Sequence, residues 1–293
     1  MKSAFVSIIG RPSAGKSTLI NRLCHEKVSI VSPVPQTTRN SIRGILTRQD
    51  GQLVFVDTPG YHISDRKFNL QLKEVAEASL EGIDLVLYLI DTTRPPGEEE
   101  EDIIRLLRFH SEHMIIGLNK TDDKRSRAGE TRRYLEEVFP GVPQFEISAL
   151  TGRGTEELLT EIFKKAPEGE LMYPRDIYTD QEPEFRIREI IREKAIGKVR
   201  EEIPHALYVE VADMEMRGEE PRQTLWVRAF LMVERESQKG ILVGKGGRNI
   251  KEIRLSAQKE LNDLFPYRIQ LDLQVKANPK WRTRDHLLKD QIF

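Results

Sequence analysis

The first half of the chain alternates two hydrophobic rhythms. Ala4–Ile9, Leu53–Val56, Leu85–Ile90, Met114–Leu118 and Gln144–Ile147 are short apolar runs rich in Val, Ile and Leu, the pattern of buried strands. Between them, Leu19 to Leu23, Phe68 to Leu80, Ile103 to Phe109 and Leu158 to Phe163 repeat their apolar residues at helical spacing. Strands alternating with helices predict an α/β domain whose mostly parallel sheet is covered on both faces. Ile42–Thr47 departs from this, because it turns back into Leu53–Val56 through Asp50-Gly51. That pair predicts an antiparallel hairpin at the sheet edge.

Prolines at 167, 174 and 183, with no apolar period between them, predict a linker over 169–183. Beyond it, Phe185 to Ile203 has helical spacing, with Ile187, Ile190, Ile191 and Ala195 on one face. Leu207–Val211 and Leu225–Val233 alternate as strands, and Ser237–Val243 predicts a helix that breaks at Gly244-Lys245-Gly246-Gly247. A second helix runs to about Leu264. The last strand, Tyr267–Val275, sets Ile269, Leu271, Leu273 and Val275 against Arg268, Gln270, Asp272 and Gln274. The order helix, strand, strand, helix, helix, strand is that of a small α+β domain. The expected partition is a first domain over 1–168, a linker over 169–183, a second domain over 184–280 and a tail over 281–293.

Composition narrows the class. A chain of 293 residues with 32% charged and 38% hydrophobic residues has the profile of two globular domains. No run approaches the length of a membrane span. Met1 to Gly10 runs straight into Arg11-Pro12 without a signal-cleavage pattern, so the chain is expected to stay in the cytoplasm. The single cysteine, Cys24, excludes an internal disulfide framework and a multi-thiolate metal site. His110 and His113 lie one helical turn apart and are expected at the surface. The net charge of −1 names no partner, but its distribution is uneven. Residues 184–293 hold 22 Lys/Arg against 18 Asp/Glu, whereas 1–183 hold 24 against 29. Arg235 to Lys259 alone carries seven positive and two negative residues. That suits nucleic acid, and equally a solvated helix face; charge leaves both open.

The chemistry lies in loops at the strand ends. Gly10-Arg11-Pro12-Ser13-Ala14-Gly15-Lys16-Ser17 matches G-x-x-x-x-G-K-[ST] between a strand and a helix that continues through Thr18. Its backbone N–H groups and the helix N-terminus suit a phosphate. Lys16 would reach the β- and γ-phosphates, and the Ser17 hydroxyl would ligate Mg²⁺. Asp57-Thr58-Pro59-Gly60, followed by Tyr61, ends the second parallel strand; it brings a carboxylate near Mg²⁺ and the Gly60 N–H near the γ-phosphate. Asn119-Lys120-Thr121-Asp122 ends Met114–Leu118, and Asp122 can accept from guanine N1–H and the 2-amino group. Adenine would leave that carboxylate unpaired, at a cost of about 1–3 kcal/mol. Ser148-Ala149-Leu150 can offer a backbone N–H to guanine O6. All four loops sit where open α/β sheets bind ligands, and together they specify GTP over ATP.

With Gln36-Thr37-Thr38-Arg39 added, the set resembles the translation-factor-related bacterial GTPases. With the C-terminal Gly-Lys-Gly-Gly, essentially the whole chain resembles the Era-like family, Ras-like P-loop GTPases carrying a type II KH domain. The resemblance implies that Thr38 closes over Mg²⁺ and the γ-phosphate, and that Lys16, Thr38 and Gly60 carry a slow GTP hydrolysis. It implies that Gly244, Lys245, Gly246 and Gly247 form the loop that clamps about four nucleotides of single-stranded RNA. Arg248, Lys251 and Arg254 continue its charge, and Ile241, Leu242 and Val243 face the bases or the core. It further implies 16S rRNA and the small ribosomal subunit as partners, action as a monomer, and peripheral contact with the inner face of the membrane. Two positions depart from related patterns. Tyr61 stands where Ras-type enzymes place a water-orienting glutamine; its hydroxyl, with a pKa near about 10, is a poor base, and Tyr61→Phe is expected to keep normal turnover. Ser13 replaces the asparagine of potassium-activated relatives, which predicts weak stimulation by K⁺ over Na⁺. His62 is expected to face solvent. The competing readings are a membrane-associated GTPase signalling switch coupled to cell growth and an RNA-binding module with a degenerate GTPase. Lys16, Ser17, Thr38 and Asp57 disfavour the second.

Overall fold

A computed structural model describes residues 1–32, 34, 37–60, 74–219, 223–279 and 281. The chain divides into two compact units, Met1–Asp180 and the part from Gln181 onward.

The first unit is a six-stranded sheet in the order β2-β3-β1-β4-β5-β6. Its strands are β1 (Lys2–Ile9), β2 (Ile42–Thr47), β3 (Gly51–Asp57), β4 (Leu85–Asp91), β5 (Met114–Asn119) and β6 (Gln144–Glu146). Only β2 runs antiparallel, against β3; the other pairings are parallel. β3, β4 and β5 are buried along their whole length, which is why each reads as a continuous apolar run rather than an alternation. Helices α1 (Lys16–Cys24), α2 (Glu98–Leu107) and α3 (Ala128–Val138) connect strands, and α4 (Thr155–Lys165) follows β6. Of the helix expected over Phe68 to Leu80, residues 74–78 are helical and 68–73 lie outside the described residues. Because β1 is flanked by β3 on one side and β4 on the other, the crevice at its carboxyl end is the sheet's topological switch point.

The stretch expected as a linker is bound to this unit as far as Asp180. Gly169 N–H donates to Met1 O, and Ile45 N–H on β2 to Tyr178 O. Thr179 Oγ1 donates to Arg43 O, and Arg43 pairs with Asp180 at 2.8 Å. Gln52, a buried polar residue on β3, donates to Thr47 Oγ1 and Tyr173 O and accepts from Met172 N–H and Tyr173 N–H. A segment without apolar period is therefore held by backbone and amide hydrogen bonds along the sheet edge.

The second unit has the element order expected for it. Helices α5 (Pro183–Ile196) and α6 (Ile203–Ala206) precede β7 (Tyr208–Arg217) and β8 (Thr224–Val233); α7 (Glu236–Val243), α8 (Arg248–Leu264) and β9 (Arg268–Ala277) follow. The helix expected over Phe185 to Ile203 is thus two helices. β8 pairs antiparallel with β7 and parallel with β9. Ile187, Ile190, Ile191 and Ala195 of α5 are buried, as are Ile269, Leu271, Leu273 and Val275 of β9. Trp281 closes this core: its ring lies 4.7 Å from that of Tyr208 and its Nε1 donates to Ala206 O at 2.8 Å.

Candidate nucleotide site and nucleic-acid interface

The phosphate-binding loop leaves β1 and enters α1 at Lys16. Its two tight positions are Ser13 (φ 64°) and Gly15 (φ 99°). At Gly15 a Cβ would also lie 2.4 Å from Asn119 Nδ2, so only glycine fits both the turn and the neighbour. Gly60 meets the loop from the other side, where a Cβ would lie 2.6 Å from Pro12 Cα. These contacts bring the end of β3 against the loop that follows β1. A cleft of about 380 Å³ opens there, lined among others by Pro12, Ser13, Gly15, Lys16, Ser17, Thr18, Thr38, Gly60 and Lys120.

Lys16 Nζ donates to Gly10 O at 2.9 Å and Arg11 O at 3.1 Å. Burial pulls its pKa down to about 8, against the attraction of Asp57 and Glu100. Asp57 is wholly buried, which pushes its carboxyl pKa up, while Lys16, Ser17, Ser29 and Thr38 favour the ionised form. Ser17 Oγ and Thr38 Oγ1 share a hydrogen bond at 2.9 Å, so the two hydroxyls meet beside Asp57. Asp57 Oδ2 accepts from Ser29 Oγ at 2.8 Å, whereas the buried Oδ1 has no hydrogen-bond partner among the described residues. Two hydroxyls and one unsatisfied carboxylate oxygen are an all-oxygen donor set of the kind a hard divalent cation takes.

Two further loops come in from the far side. Asn119 Nδ2 donates to Ala14 O at 2.8 Å, and Asn119 Oδ1 accepts from Ala149 N–H at 2.9 Å. One amide thus ties the phosphate loop to the loop after β6. Lys120, in a left-handed conformation (φ 65°), pairs with Asp91 at 2.7 Å. Thr121 Oγ1 donates to Ile147 O and Thr58 Oγ1 to Ile8 O, both at 2.9 Å. Asp122 is exposed, Ser148 and Ala149 are buried, and Leu150 is 68% exposed. Tyr61, His62 and Gln36 lie outside the described residues.

In the second unit, Gly244 to Gly247 joins α7 to α8. Gly244, Gly246 and Gly247 have φ of 73°, 62° and 78°, values that strain any other residue. At Gly244 a Cβ would lie 2.7 Å from Asn249 Cγ; that side chain donates to Ile241 O at 2.8 Å and so ties the start of α8 to α7. Lys245, Arg248 and Lys251 are exposed and Arg254 is half-buried. The apolar trio before the loop divides. Ile241 is 49% exposed and Val243 half-buried, but Leu242 is fully buried in the core, because a helix facing a sheet turns one residue in three or four inward.

Comparisons agree with both halves. The family described as 50S ribosome-binding GTPase matches residues 5–120, and the KH domain family matches 202–282. Over 294 aligned residues, the chain is 55% identical to the GTPase Era of Treponema denticola, covering 99% of each protein. The chain belongs to the Era family of GTPases. Two solved Era structures superpose over nearly the whole length, each 33% identical. One is Aquifex aeolicus Era, a point variant bound to GDP·AlF4⁻, with a TM-score of 0.94 over 99% of both chains. The other is Era in complex with MgGDPNP and nucleotides 1506–1542 of 16S ribosomal RNA, with a TM-score of 0.93 over 99% of this chain and 98% of that one. The expected fold class therefore holds: an α/β P-loop GTPase domain with one antiparallel edge strand, followed by an α+β KH domain.

Sequence reasoning missed part of this Era-family site. Ser29 touches Asp57, and Asn21 on α1 holds Ser29 in place, accepting from Ser29 N–H and donating to Ser29 O. Arg22, also on α1, donates to Ala149 O and Leu150 O. Each is a single polar residue in a loop or on a helix, with no spacing to flag it.

Proposed function

We propose that the chain hydrolyses GTP in the cleft between the phosphate loop and Thr38, and that Gly244 to Gly247 grips the single-stranded 3′ end of 16S rRNA during small-subunit assembly. The convergence of four loops at one sheet switch point, in a chain that also presents a Gly-Lys-Gly-Gly turn, carries this reading. Backbone N–H groups of residues 13–18 wrap the phosphates, while Pro12, which has no N–H, only shapes the loop. The Lys16 ammonium moves from the carbonyls of Gly10 and Arg11 to the β- and γ-phosphates, gaining a charged partner in a buried site. Ser17, Thr38 and Asp57 would hold Mg²⁺ through their oxygens, and the bound ion would supply neutralisation of phosphate charge. The Gly60 N–H donates to the γ-phosphate, where negative charge accumulates as water attacks in line. Thr38 then reports the γ-phosphate by staying closed or letting go. Asp122 reads N1–H and the 2-amino group of guanine, Ala149 N–H reads O6, and Asn119 and Lys120 hold both loops. In the KH unit, Lys245, Arg248 and Lys251 meet phosphates and Ile241 offers an apolar surface to a base. The Era complex with MgGDPNP and a 16S rRNA segment supports the pairing of ligands.

A labelled 16S 3′-end oligonucleotide, titrated at fixed salt with a non-hydrolysable GTP analogue, GDP or no nucleotide, tests the reading. Tighter binding with the analogue, abolished in Gly247→Asp, is the expected result. RNA binding indifferent to nucleotide would reduce the KH unit to a tether, and no RNA binding would remove the rRNA assignment.

A further inference from the structure

Behind the phosphate loop lies a buried ionic cluster that the nucleotide chemistry does not use. Arg11 pairs through Nε with Glu100 Oε2 at 2.5 Å, and its Nη1 donates to Pro95 O at 3.2 Å. The other oxygen of Glu100 accepts the Tyr88 hydroxyl at 2.5 Å. Arg11, Glu100 and Tyr88 are 5%, 1% and 0% exposed. One carboxylate thus joins the loop after β1, the first turn of α2 and the middle of β4. The surroundings of Tyr88 are apolar, with Ile9, Ile103, Ile116 and Phe139 in the same core, so an apolar filling was open to this chain. A buried ion pair gains little over such a filling and often costs stability. Its value must lie in what it positions. Arg11 O accepts both Lys16 Nζ at 3.1 Å and Ala14 N–H at 3.2 Å, so the residue whose side chain is anchored also shapes the turn of the loop.

We propose that Glu100 is a positioning residue for nucleotide binding: held by Tyr88, it locks Arg11 and thereby presets the first turn of the phosphate loop. The inference rests on the reading that this loop holds phosphates. A pair that only fills space is replaceable by apolar residues; a pair that sets backbone geometry is not.

The test measures mant-GDP release and GTP turnover in the full-length protein. Arg11→Lys keeps the charge but, with one ammonium in place of the guanidinium, cannot meet Glu100 and Pro95 O as Nε and Nη1 do, and is expected to speed GDP release about tenfold, with KM rising by more than kcat falls. The triple variant Arg11→Met/Tyr88→Phe/Glu100→Leu is expected to fold with unchanged or higher Tm and still release GDP at least about tenfold faster. A folded triple variant with normal release overturns the proposal. So does Arg11→Lys with normal release, or with lower kcat at unchanged KM; this variant decides if the triple does not fold. Should the wild-type chain fail to bind mant-GDP, the assignment of the cleft falls instead.

Discussion

Ser29→Ala probes the Mg²⁺ site without removing any residue assigned to the metal. Ser29 Oγ donates to Asp57 Oδ2 at 2.8 Å, and both residues are buried. A hydrogen bond to a charged group contributes about 1.5–3 kcal/mol. At about 1.4 kcal/mol per factor of ten, its loss corresponds to about a ten- to hundredfold change, the range usual for partners that orient metal ligands. The direction follows from geometry. With Oδ2 fixed by Ser29, Oδ1 is the oxygen left without a partner among the described residues; without Ser29, the carboxylate can rotate and bond Ser17 or Thr38 through either oxygen. The expected outcome is a Mg²⁺ midpoint for mant-GDP retention raised at least about tenfold, with Tm lowered by several degrees and magnesium-free GDP affinity nearly unchanged. A folded variant with the wild-type midpoint would refute the reasoning, as would equal losses with and without Mg²⁺.

Asp122→Asn should exchange guanine for xanthine preference, because an amide donates where the carboxylate accepts and xanthine carries a 2-keto oxygen; competition of XDP against mant-GDP checks it. Lys16 is held at about 8 in the folded, nucleotide-free protein, against 10.5 for an ordinary lysine. The unfolded chain therefore binds more protons between those values, and the contribution of Lys16 to stability rises with pH across that window. Urea midpoints from pH 7 to 10.5 should show this rise in the difference between wild type and Lys16→Met, and a flat difference would disprove it. Gln52→Leu should cost about 2–3 kcal/mol by urea titration, because Tyr173 O and the amides of Met172 and Tyr173 lose a buried partner.

What the sequence revealed and what it hid divide along a physical line. Strands buried on both faces announce themselves as apolar runs, and the half-buried β9 announces itself as an alternation. Loops with close backbone approach or positive φ require glycine, so Gly15, Gly60 and Gly244 to Gly247 were legible as a pattern. Residues that act by meeting one partner far along the chain carry no such period. Glu100 stands within four consecutive glutamates, Glu98 to Glu101, and reads as the solvated, acidic first turn of a helix, which the other three resemble. It is buried only because Arg11 and Tyr88 arrive from 89 and 12 residues away to receive it. Gln52 similarly looks like an interruption in an apolar strand until residues 172 and 173 fold back onto it. The stretch over 169–180 lacked apolar period for a good reason: its attachment is through hydrogen bonds, which leave no mark on hydropathy.

The same line separates the charged groups of the cleft from the apolar core beneath them. Arg11, Lys16, Asp57 and Glu100 bring two positive and two negative charges into a buried region at the head of β1. Their sum is zero, yet their mutual attraction does not offset desolvation: Lys16 is pulled down and the carboxyls of Asp57 and Glu100 are pushed up, with burial the largest cause in each case. Burial thus shifts each of the three toward its neutral form relative to an ordinary lysine or carboxyl group. Phosphate oxygens would favour the Lys16 ammonium and a divalent cation the Asp57 carboxylate, whereas Glu100, outside the cleft, keeps Arg11 and Tyr88 as its partners. The free energy of the phosphate and cation contacts then appears as nucleotide affinity, and as stabilisation of the folded unit by about 4 kcal/mol when ligand exceeds its dissociation constant about a thousandfold. A cradle built from apolar residues would fold more readily and have nothing for the nucleotide to complete.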